Sequence, residues 1–228
     1  MEKPFREAAL AAGDRLIETL LWSGQAAPRA GRHLDRMAGS ARALGFAFDR
    51  AAAEAALAAA VAGSGLGLGS GPGFGRAPLR LRLTLARDGA LDAVAAPLPA
   101  GPAGWRVALA PTRIDAGDPL RGHKTTARAL YDRDRAALPA GIDELVYANG
   151  ADRMVEGTIT TLVFDLGDGL STPPLAEGCL PGVLRAALLA EGRLREAPLP
   201  LCDLPRAQLW CGNALRGLIP AHLVALPD

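Results

Sequence analysis

Between residues 63 and 79 the hydrophobic period of the chain changes from about four residues to two, and this change constrains the fold most. Before it, Leu34, Met37, Ala38, Ala41 and Leu44 recur at three- and four-residue spacing, which predicts an amphipathic helix over 34–46. Residues 50–62 are dense in alanine and predict a second helix from intrinsic propensity. After the change, LRLRLTLA at 79–86 alternates apolar and polar residues. Arg87-Asp88-Gly89 then supplies a turn, and 90–95 can return as the partner strand. The bridge itself, GSGLGLGSGPGFG at 63–75, has neither the GxGxxG nor the GxxxxGK[ST] spacing, and no strand precedes it. It reads as a flexible connection and not as a ligand loop.

The rest of the chain keeps mixing the two periods. Residues 105–110 read as a strand, 125–135 as a helix, and 144–148, 153–156 and 160–166 as strands separated by NGAD and a glycine-containing bend. Leu180-Pro181-Gly182 opens a helix running to Ala190, with Pro181 suited to a first turn. Residues 208–211 read as a late strand, and 10–19, like 50–62, as an ordinary core helix. The prolines and glycines of 111–119 mark a connection between domains. The expected organisation is therefore a small N-terminal domain over 1–112, a linker over 113–122 and a larger C-terminal domain over 123–228. The fold class is mixed α/β (α+β), not a regular βαβ array, and no internal repeat is visible.

Composition narrows the function. A chain of 228 residues can bury a sizeable core. Lys plus Arg total 25 against 24 Asp plus Glu, a net charge of +1, which argues against a general binder of nucleic acid or of an anionic membrane. The apolar runs fall short of the roughly 20 residues that span a bilayer. Residues 1–5 are followed at once by Arg6 and Glu7, which is not the pattern of a leader. Cys179, Cys202 and Cys211 form no CxxC and cannot all pair, so a reduced cytoplasmic compartment is expected. His33, His123 and His222 are far apart, so no metal site is expected, and no GxSxG elbow exists.

Four segments form a set: HLDRM at 33–37, HKTTARALYD at 123–132, VEGTITT at 155–161, and LSTPPLAEGCLPGVLR at 170–185 combined with GNALRGLIPA at 212–221. In this order and at these distances they resemble the class IV (fold-type IV) pyridoxal-phosphate enzymes. That family includes the branched-chain and D-amino-acid aminotransferases and aminodeoxychorismate lyase. The resemblance runs from about Glu18 to Ala221. It implies two domains with pyridoxal 5'-phosphate at their interface, a small-molecule substrate and a homodimer.

Such a cofactor needs a lysine for a Schiff base, an anion near the pyridine nitrogen and a cradle for phosphate. The resemblance implies Lys124 as that lysine and as the proton carrier, and Glu156 as the carboxylate that pairs with the pyridine N–H. It implies Arg36 as a phosphate ligand, since a guanidinium suits a dianion. Val183 and Leu184, following Gly182, match the phosphate-binding helix start, where free backbone N–H groups favour an anion. Asn213 and Ala214 match a second phosphate-side turn. Tyr131 belongs to the string, and its position leaves buried packing and cofactor contact equally open.

This sequence departs from the family at three places. Leu184 stands where many members have Thr, Thr161 stands where EGxxxN has Asn, and the opening strand is expected to be missing before Leu16. The HKTTxRxxYD and LPGxLR…GNALRGLxPA forms most resemble the aminodeoxychorismate lyase branch, a folate-biosynthesis activity that releases 4-aminobenzoate and pyruvate. The alternative is an amino-acid aminotransferase of branched-chain or D-amino-acid type. A non-catalytic interaction protein is a third reading, which the intact Lys124 and Glu156 oppose. Arg106, Arg128 and Arg216 are candidate ligands for a substrate carboxylate, with Arg216 favoured because it follows GNAL.

Overall fold

A computed structural model describes residues 9–65 and 77–226, so most of the glycine-rich bridge lies outside the described residues. The chain forms two compact units, Leu10–Gly101 with Lys124–Ala127, and Pro102–His123 with the chain from Arg128 onward. Among the described residues, no helix is long and apolar enough to cross a membrane.

The first unit comprises β1 (Leu16–Trp22), α1 (Ala30–Leu44), α2 (Arg50–Gly63), β2 (Leu79–Leu85) and β3 (Leu91–Pro97). The strands form an antiparallel sheet in the order β1-β2-β3. The alternation in LRLRLTL does what its period requires. Leu79, Leu81, Leu83 and Leu85 are buried, while Arg80 and Arg82 point to solvent. The leucines pack with Leu16 and Leu20 against Leu34, Met37 and Ala41 of α1 and Ala53, Leu57 and Val61 of α2. Asp49 caps α2 by accepting from the Ala52 N–H at 3.1 Å.

Residues 16–19, expected within a helix, are strand. Leu16, Ile17, Leu20 and Leu21 fall at helical spacing, but Leu16, Ile17 and Leu20 are all buried because both faces of β1 are covered. The free edge of β1 takes up Lys124–Ala127. The Ile17 N–H donates to the Lys124 carbonyl at 2.9 Å, Leu16 bridges Thr125, and Thr126 Oγ1 accepts from the Arg15 N–H at 2.9 Å. This pairing removes 125–128 from the helix expected there, and α3 runs over Ala129–Ala136 instead.

The second unit holds β4 (Trp105–Leu109), α3, β5 (Glu144–Ala148), β6 (Met154–Gly157), β7 (Thr161–Asp165), β8 (Ser171–Thr172), α4 (Val183–Ala190), β9 (Arg195–Glu196), β10 (Gln208–Asn213) and β11 (Gly217–Leu223). The strand order is β10-β11-β4-β5-β6-β7-β8-β9, and a further pairing of β10 with β7 closes six strands into a ring. Trp105, Val107, Val146, Met154, Leu162, Phe164, Leu209, Cys211 and Ile219 belong to one core of this ring. The Cys211 thiol is pushed up to about 12 by burial, which makes it a packing residue and no nucleophile. Strand β11 carries no sequence expectation, because Pro220 lacks the N–H of a ladder residue. It pairs antiparallel with β10 and parallel with β4.

The units are divided elsewhere than at the expected boundaries of 112 and 123. Strand β4 fills the ladder between β11 and β5, so the second unit begins before it. Pro119–Gly122 is a 3₁₀ turn with Asp118 and Arg121 buried, and not an open linker.

Candidate active site

In the second unit the site grows from one row across the sheet. Glu156 on β6 pairs with Thr161 on β7, and Thr161 pairs with Gly212 on β10. Glu156 is 7% exposed. Its Oε1 accepts from the Tyr131 hydroxyl at 2.8 Å, and its Oε2 accepts from the Leu180 N–H at 2.9 Å. The Tyr131 hydroxyl in turn accepts from Arg121 Nη1 at 2.6 Å. Burial first, and the neighbouring Glu156 charge second, push the Tyr131 hydroxyl far above its ordinary range, with Arg121 partly opposing. Its ring stands edge-on to Tyr147 at 5.0 Å.

The Leu180 contact ties Glu156 to the segment that opens α4. A Cβ on Gly182 would lie 2.6 Å from Thr161 Oγ1, so only glycine allows the backbone this close to the row. Gly182 caps α4 with no side-chain hydrogen bond, and the Val183 and Leu184 side chains are buried, so what this helix start offers an anion is backbone N–H. Next to it, Asn213 Oδ1 accepts from the N–H groups of Leu215 and Arg216 at 3.1 Å each, shaping the turn that contains Ala214. Asn213 Nδ2 donates to the Ile159 carbonyl at 3.4 Å.

Below the row, Glu144 is fully buried and accepts from the N–H of Thr158 at 3.1 Å and of Ile159 at 3.2 Å. It also accepts from the hydroxyls of Thr158 and Thr160. This one carboxylate therefore defines the turn that follows Glu156-Gly157.

In the first unit β1 organises a second group of candidate residues. Lys124 is half-buried, its backbone held by Ile17. The next residue, Glu18, is 1% exposed and is gripped by Arg36, whose Nε donates to Oε1 at 2.8 Å and Nη2 to Oε2 at 2.6 Å. His33 Nδ1 lies 2.6 Å from the same Oε2. Burial alone would raise the Glu18 carboxyl, but Arg36 and His33 outweigh it and hold it below the ordinary carboxylate range.

Of the residues expected at the site, Glu156, Val183, Leu184, Asn213 and Ala214 thus fall in one unit and Lys124 and Arg36 in the other. Among the carboxylate candidates, Arg106 is exposed beside Gly141. Arg128 donates to Asp132 and, at 2.8 Å, to the Thr158 carbonyl. Arg216 follows Asn213 in the turn and is half-buried. Glu18, Arg121 and Glu144 went unread in the sequence. Glu18 alone left a signal, a lone charge inside the apolar run LIETLLW.

Lys124 has a further distinction: of the 25 Lys and Arg residues only Lys3 and Lys124 are lysines. Of these two residue types only the lysine amine can form an imine with an aldehyde, since guanidinium stays protonated.

The class IV amino-transferase family model matches residues 15–224, and the chain belongs to this family, whose members depend on pyridoxal phosphate. A provisionally described amino-acid aminotransferase from Mesorhizobium loti is 44% identical, with 92% of this chain and 100% of that chain covered at a TM-score of 0.84. The 4-amino-4-deoxychorismate lyase from Pseudomonas aeruginosa is 27% identical, with 98% and 87% covered at a TM-score of 0.76. A hypothetical aminotransferase from Mycobacterium tuberculosis in a PLP-bound form is 23% identical, with 97% and 87% covered at a TM-score of 0.75, and shares the fold. No curated protein matches the chain. The fold is that of fold-type IV pyridoxal-phosphate enzymes. The residues present suit the cofactor: a buried carboxylate for a ring N–H, a helix start with no side-chain cap for phosphate, and one of the chain's two lysines.

Proposed function

We propose that this enzyme is a lyase that converts 4-amino-4-deoxychorismate to 4-aminobenzoate and pyruvate. The observation that carries the cofactor site is Glu156, buried and held from both oxygens by Tyr131 and Leu180. Lys124 would bind the cofactor covalently, Glu156 would pair with its ring nitrogen, and Arg36, the N–H groups of Val183 and Leu184, and the turn at Asn213 and Ala214 would be its phosphate ligands. When bound, pyridoxal phosphate supplies an electron sink that acidifies the carbon bearing the substrate's nitrogen. The Lys124 amine takes that proton and delivers it to the departing enolpyruvyl methylene. The ring–oxygen bond breaks between these transfers, and its loss makes the substrate ring aromatic, so no oxidant or amino acceptor is needed. Glu156 keeps a negative charge against the ring nitrogen throughout, which is preorganised electrostatic work. Arg216 binds a substrate carboxylate.

The lyase choice is supported by the HKTTxRxxYD and LPGxLR…GNALRGLxPA segments and by similarity over 98% of the chain to the Pseudomonas aeruginosa lyase. The second reading, an amino-acid aminotransferase, is favoured by the higher identity to the Mesorhizobium loti structure. The two differ in their need for an acceptor. Given aminodeoxychorismate alone, the lyase releases 4-aminobenzoate and pyruvate one-to-one over many turnovers. Strict dependence on a keto acid, with no 4-aminobenzoate formed, would replace it by the aminotransferase. A homodimer belongs to the same proposal, and sedimentation of the holoenzyme measures it.

A further inference from the structure

Arg121 is a cation in an expensive place. It is 7% exposed and its side chain makes a single hydrogen bond among the described residues, from Nη1 to the Tyr131 hydroxyl, with its guanidinium 5.0 Å from the Tyr131 ring centroid. Its Nε and Nη2 are buried with no hydrogen-bond partner among the described residues. A buried charge costs several kcal/mol unless an opposite charge answers it. The anion that answers this one is reached through Tyr131.

The polarity of that connection is forced by the donor inventory. A guanidinium only donates, so the Tyr131 oxygen accepts from Arg121 and its single proton must point at Glu156 Oε1. The Leu180 N–H also only donates, so Glu156 is an acceptor at both oxygens. Arg128, the other cation near the Tyr131 ring at 5.6 Å, is engaged by Asp132 and the Thr158 carbonyl. The high proton affinity of the buried Tyr131 hydroxyl keeps it a donor across the working pH range.

We infer that Arg121 and Tyr131 are positioning residues that act through Glu156 to keep the shared proton on the ring nitrogen of pyridoxal phosphate; this rests on the assignment of Glu156 proposed above. A carboxylate stabilised as an anion by a cation relayed through a hydroxyl is a poor base toward its partner. The proton therefore stays on the nitrogen, and the ring remains a strong electron sink. Removing either link raises the proton affinity of Glu156 and draws the proton toward the carboxylate.

The test is ¹⁵N magnetic resonance of holoenzyme reconstituted with ring-¹⁵N pyridoxal phosphate. Tyr131→Phe keeps the ring packed on Tyr147 and removes only the hydroxyl, so it carries the test even where Arg121→Gln fails to fold. Both variants should move the ring-nitrogen resonance toward the neutral pyridine position, and Arg121→Lys, which keeps a charge and a donor, should return it most of the way. A loss of packing alone gives no such rescue. If Glu156→Gln moves the resonance and Tyr131→Phe does not, the relay is overturned and the Glu156 assignment stands. If Glu156→Gln leaves the resonance in place, the assignment fails and the relay with it. Product analysis on the wild type is independent of both results.

Discussion

A carboxylate buried under a leucine-lined sheet persists only with partners for its charge, and Glu18 has the Arg36 guanidinium as a two-pronged donor and a hydrogen bond to His33 at 2.6 Å. This gives Arg36 a task besides the phosphate role its place in the sequence implies. Arg36→Ala should cost the cofactor-free protein about 3 kcal/mol, the range for leaving one buried charge unpaired, read as a lower urea midpoint. An unchanged midpoint would restore Arg36 to a pure ligand. The depressed Glu18 carboxyl adds a pH dependence of definite sign. Above its ordinary value of 4.5 the stabilisation is complete, and it is lost as pH falls below that value and through the lower folded one. Glu18→Gln should be less stable at neutral pH and should flatten the acid limb of a plot of urea midpoint against pH. A parallel limb in that variant would mean another carboxylate carries the effect.

Two contacts in the second unit decide whether Glu156 keeps its place. Glu144 accepts from backbone and hydroxyl groups of Thr158, Ile159 and Thr160, so Glu144→Gln turns an amide NH₂ onto groups that are themselves donors. Hydrogen exchange at the Thr158 and Ile159 amides should speed up in that variant, and unchanged exchange would move the turn's support elsewhere. Gly182→Ala places a Cβ 2.6 Å from Thr161 Oγ1 at an ordinary backbone conformation, so its cost is steric, about 1–3 kcal/mol. Adding Thr161→Ala removes the clashing oxygen and should recover most of that cost. Strict additivity of the two changes would refute the contact. Elements of regular period, β2 and α1, were legible in the sequence because burial there follows one face, while α2 was legible from its alanine propensity and α4 from the Leu180-Pro181-Gly182 start. Strand β1 was not, since a strand covered on both faces has no alternation. The closed ring was not, since β11 contains Pro220 and its partners in β4 lie more than 100 residues away. At the site, the candidate residues entered the sequence reading through the family resemblance that their segments carry. Glu144 and Arg121 were not legible, because their partners are backbone amides and the hydroxyls of threonines and one tyrosine brought in from other segments.

At the scale of the molecule, the residues proposed as cofactor ligands occur in both units: Lys124 and Arg36 in one, Glu156 and the start of α4 in the other. A ligand that binds only the folded protein stabilises it by RT ln(1 + [L]/Kd), about 2.7 kcal/mol at a hundredfold excess over Kd. That stabilisation reaches only those local openings that break the contacts with the ligand, because an opening that spares the contacts leaves binding intact. Pyridoxal phosphate should therefore slow exchange at the amides of β1, which contains Glu18 and whose Ile17 N–H holds the Lys124 carbonyl, and also at Leu180 and the first turn of α4. Lys124→Ala should lose the slowing in β1 more than in α4, because the proposed phosphate ligands and Glu156 are unchanged in that variant. Arg36→Ala should weaken both through affinity. Exchange that slows only around α4 in the wild type would mean that Lys124 and Arg36 do not hold the cofactor. Borohydride reduction should then fail to fix it on Lys124, a result readable without ambiguity because Lys3 is the chain's one other amine-bearing side chain.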